Sequence, residues 1–345
     1  MANYFEEIPK KIKDYFNILS NEIPNFIKEY IEAPEMQRLK GISMVCGENF
    51  TKMCPYVMYY SRLEHSIGVA LIIWNFTKDK KQALAGLFHD IASPSFSHCI
   101  DFLNGDYENQ ESTEELTTKI ISESKYIMSL LNRDGIKLEE VDNYKLYPIA
   151  DNDTPKISAD RLEYSFSNGF SLEDIWKDGE IKKIYSDLKI LKNENDEIEL
   201  GFENPQVAEL FIDRTKILWI DYVENRFVMQ IIVEIIIILN ENHLIEKDDF
   251  YRLSEFDIIE IAKNSNISAV ESLVNNMMQV SKLYESDKKV ENRYCIKVPA
   301  KYRYIDPLVK KDNVVIRLTK ISDIAREAKE KLFKIDFSKY LYSNF

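Results

Sequence analysis

The sequence predicts a mainly α protein, a helical bundle with a small β-hairpin and a helical C-terminal extension. Three observations lead there. Glycine and proline number only 9 and 10 in 345 residues, too few for a chain built from many tight turns. Apolar residues recur at helical spacing over long stretches, most of all from Gln206 to Asn240. Strand-like segments are few and short, and one pair, LKIL and EIELGF, flanks the turn sequence NEND as a hairpin would.

From the N-terminus, residues 3–43 read as short helices broken at Pro24 and Pro34, with Ile23, Phe26, Ile27, Tyr30 and Ile31 on a helical period. Residues 46–60 mix aromatics with Gly47 and Pro55 and read as loop or irregular strand. Helices are expected over 62–77 and 80–91, after Pro94, and over 111–133. An acidic turn, DNDTP, then precedes helix at Asp160–Phe166. Beyond the hairpin come one or two long helices to Asn240, strand candidates YCIKV (294–298) and VVIRL (314–318), and a last helix near 322–334. No repeat, low-complexity tract or linker divides the chain. The working division is a core over 1–180 and a mostly helical region with minor β over 181–345, packed on that core.

The formal net charge of −13 disfavours unspecific contact with nucleic acid or anionic membrane, since both need a basic face. A few placed cations can still hold an anionic substrate. Cys46, Cys54, Cys99 and Cys295 include no C-x-x-C pair and are expected as free, mostly buried thiols in a reducing compartment. The N-terminus lacks the apolar core of a signal peptide. The most apolar run, residues 227–239, is 13 residues long and interrupted by Gln230 and Glu234, which predicts a buried helix rather than a membrane span. These features predict a cytoplasmic protein without a membrane partner.

The chemistry gathers between Ser61 and Asp101, which holds three of the four histidines. A lone histidine on an apolar helix is ordinarily a satisfied core residue. Here His65, the His89–Asp90 pair and the distant Asp160 in ISADRLEY make a mixed nitrogen and oxygen donor set, suited to an open divalent metal site (Mn, Mg, Fe, Ni, Co or Zn). His89 and Asp90 diverge by about 100° on a helix and can share an ion only near a helix end, which Pro94 supplies. Arg62 stands three residues before His65 on the same face, placed to hold phosphate. His98 and Asp101 share that spacing, so the carboxylate can orient the imidazole for proton transfer. Tyr164 follows Asp160 by one helical turn.

SRLEHSIGV, LAGLFHDI, FSHCID and SADRLEY resemble the motifs of the HD-domain phosphohydrolases, most like the deoxynucleoside triphosphate triphosphohydrolase branch. PEMQRLKGIS (34–43) resembles the segment before the first histidine there, and RYIDPLV (303–309) a basic segment of some members. The resemblance covers residues 33–168 and implies an HD-domain helical bundle as the catalytic core. It implies His65, His89, Asp90 and Asp160 as metal ligands, and Arg62 and Arg161 at the phosphates. Tyr164 would lie near the sugar or α-phosphate, and His98 with Asp101 near the α-phosphorus. The implied reaction converts a dNTP to a deoxynucleoside and triphosphate, and the implied assembly is a homo-oligomer.

Three positions depart from the pattern. Ser93 stands where the family has a second histidine, Asn109 aligns with a further histidine, and Met44 with a glutamine that some members use against the deoxyribose. Neither serine nor asparagine titrates near neutral pH. Two alternatives therefore stand beside the triphosphohydrolase: a phosphohydrolase of nucleoside monophosphates or other phosphomonoesters, and a nucleotide sensor with little turnover. The basic stretch of Lys297, Lys301, Arg303, Lys310 and Lys311 reads as a solvated face or as a phosphate contact across an oligomer interface.

Overall fold

The computed structural model describes residues 4–53, 56–108 and 116–343, and it is mainly helical. Its central element is the helix Arg62–Thr77, in which every residue from Arg62 to Ile73 is buried. A helix apolar on all sides needs neighbours on all sides. It has them in Lys10–Leu19, Lys80–Phe88 and Ala159–Ser171. A capping box starts it: the Ser61 hydroxyl accepts from the Leu63 N–H at 3.2 Å, and Glu64 accepts from the Ser61 N–H at 2.8 Å. Gly68 lets the Ala159–Ser171 helix approach, since a Cβ there would lie 2.7 Å from Glu163 Cγ.

Two hydrophobic clusters form the core. The first joins these helices with the N-terminal helices and Pro205–Glu224, around Phe16, Tyr30, Phe88, Phe166 and Phe211. The second surrounds the helix Arg226–Glu241 and takes in Phe96, Phe102, Ile258 and Val274. The expected buried helix over 227–239 is therefore present, and no helix among the described residues is long and apolar enough to cross a membrane. Cys46, Cys99 and Cys295 are free, the first two buried; Cys54 lies outside the described residues.

The hairpin forms as expected, with Leu188–Lys192 antiparallel to Ile198–Phe202. It does not stand alone. Leu308–Lys311 joins Ile198–Phe202 in parallel, and Val314–Arg317 closes a four-stranded sheet. Arg317 locks it from beneath, with Nη1 donating at 2.6 Å to the wholly buried Glu199. A second sheet uses Tyr284–Ser286, Tyr340–Tyr342 and Cys295–Ile296, so the strand expected over 294–298 shrinks to two residues.

Two helices differ from expectation. The one expected over 80–91 stops at Phe88, because the chain then tightens into i→i+3 bonds (Ile91 N–H to Phe88 O, 2.9 Å; Ser93 N–H to Asp90 O, 2.8 Å). The stretch expected over 111–133 is, within its described part, two helices, Leu116–Glu123 and Lys125–Asp134. Ser124 divides them by accepting from the Ile127 N–H at 3.2 Å, as an N-cap does.

Glu255 ties the loop before His98 to the second cluster. Its side chain is wholly buried and accepts from the Phe96 N–H at 3.2 Å. Burial pushes its pKa up to about 7, against hydrogen bonds from Ser43 and Phe96 that favour the carboxylate. A carboxyl raised in the folded state stabilises fully below its ordinary value near 4.5, and that contribution is lost as pH rises through about 7. Glu255→Gln is expected to remove this fall, so urea melts of parent and variant should diverge in stability between pH 4.5 and 7. Parallel pH profiles would refute the assignment.

Candidate metal centre

His65 sits one turn into its helix and is 1% exposed. Its Nδ1 donates to Glu163, a wholly buried carboxylate that also accepts from Tyr60 (2.7 Å), Tyr15 (3.1 Å) and Ser167 (3.2 Å). An ionised carboxylate only accepts, so the proton stays on Nδ1 and Nε2 is left as the ligand atom. His89 is set the same way by a different device. As the residue closing the Lys80–Phe88 helix, it donates Nδ1–H to the Gly86 carbonyl at 2.7 Å.

The two bare Nε2 atoms then face each other at 3.2 Å. Asp160 Oδ1 lies 3.1 Å from the first and 3.8 Å from the second, and Asp90 Oδ2 lies 3.8 and 3.5 Å away. Two lone pairs and two carboxylates converging without a shared proton repel one another unless a cation stands among them. His65, His89 and Asp160 offer ligand atoms all within 4.8 Å of one another. The donor set fits a divalent ion, with Asp90 beside it as a fourth oxygen donor. Without an ion, a proton takes its place: burial opposes charge on His65, but Glu163 and Asp160 outweigh it and hold the pKa up at about 10.

Burial alone would raise Asp90, but the Arg62 guanidinium, 2.7 Å from Oδ2, holds it far below the carboxylate range. Ser93 donates its hydroxyl to Asp90 Oδ1 at 2.8 Å, and Arg62 Nε reaches Ser97 at 3.1 Å. Asp160 is likewise held low, with the His65 and His89 imidazoles outweighing burial.

These groups line one end of a cavity of about 470 Å³, at the seam between the two hydrophobic clusters. Of the other expected residues, His98, Tyr164 and Arg161 line it, and Asp101 is buried and bonded to His98. The His98–Asp101 pair forms, Nδ1 to Oδ2 at 2.9 Å, and Tyr164 lines the wall in edge contact with Tyr222 at 5.6 Å. Arg161 reaches the wall, but its guanidinium is taken up by the loop before it: Nε to Lys156 O at 2.8 Å, Nη1 to Asp151 at 3.2 Å, and Nη2 to Asn152. Met44 also lines the cavity; Asn109 lies outside the described residues.

Several neighbours were not anticipated. Glu163 stands one turn after Asp160, and that spacing was its only signal. Tyr144 packs on the His89 ring at 5.1 Å, with Lys145 beside it on the wall. Of the basic stretch, Lys301 and Arg303 line this chain's own cavity, and Arg303 Nη2 lies 3.3 Å from His98 Nε2. Lys310 pairs with Glu203 at 2.8 Å, away from the site, and Lys297 lies over the Tyr340 ring at 5.3 Å.

Comparison with known proteins adds to this geometry. No family model matches the chain. It is 24% identical to the uncharacterized protein YdhJ of Bacillus subtilis, over 91% of this chain and 93% of that one. It is 26% identical to the metal-dependent phosphohydrolase cns2 of Cordyceps militaris, over 47% of this chain and 45% of cns2. The likeness is to metal-dependent phosphohydrolases. A third relative is the deoxynucleoside triphosphate triphosphohydrolase SAMHD1 homolog of Dictyostelium discoideum, 24% identical over 44% of this chain and 34% of the homolog. The chain thus spans less than half of either phosphohydrolase relative. Its fold is shared with a phosphohydrolase of Bacteroides thetaiotaomicron (TM-score 0.62, 15% identity, 93% of this chain and 96% of that one). It is shared as well with a hypothetical protein of Aquifex aeolicus (TM-score 0.61, 18% identity, 91% of each chain).

Because Glu163 fixes the ligand tautomer of His65, Glu163→Gln should weaken Mn²⁺ binding by roughly 10- to 100-fold in calorimetry. Unchanged affinity in a folded variant would show that the imidazole needs no such partner.

Proposed function

We propose that this chain is a divalent-metal-dependent phosphohydrolase acting on a nucleotide, with conversion of a dNTP to deoxynucleoside and triphosphate as the leading reaction. One observation carries this reading. The converging ligand atoms of His65, His89 and Asp160 stand at one end of a cavity whose wall also bears Arg62, Lys145, Arg161, Lys301 and Arg303. The likeness to the SAMHD1 homolog and the motifs that resemble the HD-domain triphosphohydrolases support the finer choice. A homo-oligomer is part of the same proposal and rests on the resemblance.

A divalent ion bound there acts as a Lewis acid on phosphoryl oxygen and acidifies a water. The residues around it do the rest. Arg62 and Ser93 hold Asp90 by separate oxygens, so its orientation is set before substrate arrives. Arg303 and Lys301 bring positive charge to the wall beside His98, where a phosphate can exchange for the Arg303–His98 contact. Burial lowers the His98 pKa against its bond to Asp101, and Arg303 and Arg62 lower it further. His98 is therefore neutral at pH 7, with Nδ1–H on Asp101 and an Nε2 lone pair able to take a proton.

A second reading, hydrolysis of a phosphomonoester, is favoured by the Arg161 guanidinium, which its own loop already occupies. Product analysis separates the two. Purified protein with Mn²⁺ or Mg²⁺ and each dNTP, NTP and nucleoside monophosphate should release tripolyphosphate in the first case and orthophosphate in the second. No turnover with any of them would leave a nucleotide-binding protein.

His98→Gln is expected to lower kcat roughly 10²- to 10⁴-fold, the usual contribution of a positioned proton acceptor, with Mn²⁺ affinity unchanged. Full turnover in that variant would remove His98 from the reaction.

A further inference from the structure

The metal centre occupies one end of the cavity, and the other end has a different chemistry. Asp160, Tyr164 and Asn168 follow one face of a single helix and all line the wall, so the cavity extends roughly 12 Å along that helix. There it meets Glu48, at the start of the short turn Glu48–Phe50. Gly47 aims this turn from a left-handed φ of 88°, where a Cβ would lie 2.0 Å from Ile232 Cδ1.

Glu48 lines this end of the cavity and is 4% exposed. The charges acting on it are negative: Asp221, Glu173 and Glu224. On the same wall Asn225 Oδ1 is buried without a partner, as is Oδ2 of Asp221, which does not line the cavity. The Asn225 amide is not ambiguous, because its Nδ2 donates to the Val45 carbonyl at 3.0 Å. Burial and the neighbouring carboxylates push the Glu48 pKa far up, yet either protonation state leaves an oxygen that accepts. An unpaired buried acceptor is costly, and the Asn225 oxygen on the wall it shares with Glu48 asks for a ligand that brings donors.

We propose that Glu48 recognises the base of the nucleotide, pairing with a donor-rich, amino-bearing edge at the opposite end of the cavity from the metal centre. This rests on the nucleotide reading above. The length fits: about 12 Å separates the two ends, near the reach from a nucleotide's phosphate to its base edge and beyond that to its sugar. Guanine matches best, since its N1–H and exocyclic amino group present adjacent donors to a carboxyl and its acceptor neighbours. Uracil and thymine set carbonyl oxygens against those same acceptors.

The test compares bases that differ by the amino group, guanine with hypoxanthine and cytosine with uracil. Each is presented as a nucleotide to the full chain with Mn²⁺, and Kd and KM are read. The amino-bearing member of each pair should bind roughly 10- to 100-fold more tightly. Glu48→Met, of similar length, removes both oxygens whatever their protonation and should collapse both ratios while Mn²⁺ affinity stays at the parent value. Equal affinities within each pair for the parent protein, or ratios untouched in the variant, would overturn the proposal and leave the phosphohydrolase reading standing. Mn²⁺ binding with no affinity for any nucleotide would overturn both.

Discussion

The contact on which the site depends is buried and lies behind the metal ligands: the Glu163 carboxylate against His65 Nδ1. A wholly buried carboxylate is expensive unless its lone pairs are met, and here His65, Tyr60, Tyr15 and Ser167 meet them. The arrangement needs two helices nearly in contact, which is why Gly68 faces Glu163 without a side chain. Packing, tautomer and ligand geometry are therefore one constraint. The helix that buries its whole circumference also holds the imidazole that turns its free nitrogen toward Asp160.

The seam between two hydrophobic clusters explains how one cavity carries different chemistry at its ends. His65, His89 and Asp160 ride on elements of the first cluster, while the loop with His98 is pinned to the second by Phe96, Cys99 and Phe102. Polar groups brought together at such a seam are shielded from bulk water, and their interactions are stronger for it. The net charge of −13 says little about this local field. Arg62, Lys301 and Arg303 offer phosphate a basic wall in an acidic protein, and Glu48 with the unpaired Asn225 oxygen offers acceptors further along it.

Much of this was legible because its causes are local. Helical periodicity marks the helices Arg62–Thr77, Pro205–Glu224 and Arg226–Glu241, and the NEND turn marks the hairpin. The grouping of His65, His89, Asp90 and Asp160 is conspicuous in a chain with four histidines. What escaped is non-local. Leu308–Lys311 becomes a strand only by pairing with Ile198–Phe202, and no local pattern in its four residues announces that. Lys301 and Arg303 read as surface cations or as a phosphate contact across an oligomer interface, and instead Arg303 meets His98 within this chain. The resemblance implies Arg161 as a phosphate ligand, yet the turn before its helix supplies the carbonyls and carboxylate that engage it first. Glu163 resembles any glutamate on a helix until its burial is seen.

Ser93 shows how a departure from a family pattern is absorbed. It stands where the resemblance expects an imidazole, and its hydroxyl donates to Asp90 Oδ1 while Arg62 holds Oδ2. Its carbonyl accepts from Arg38 at 2.8 Å, which fixes the turn after the His89–Asp90 pair. A serine cannot exchange a proton near neutral pH, but it can orient a carboxylate with a shorter side chain than histidine. The substitution thus exchanges a titratable group for a rigid Asp90. In the proposed reaction that leaves His98, held by Asp101 and faced by Arg303, as the described group best placed to move a proton.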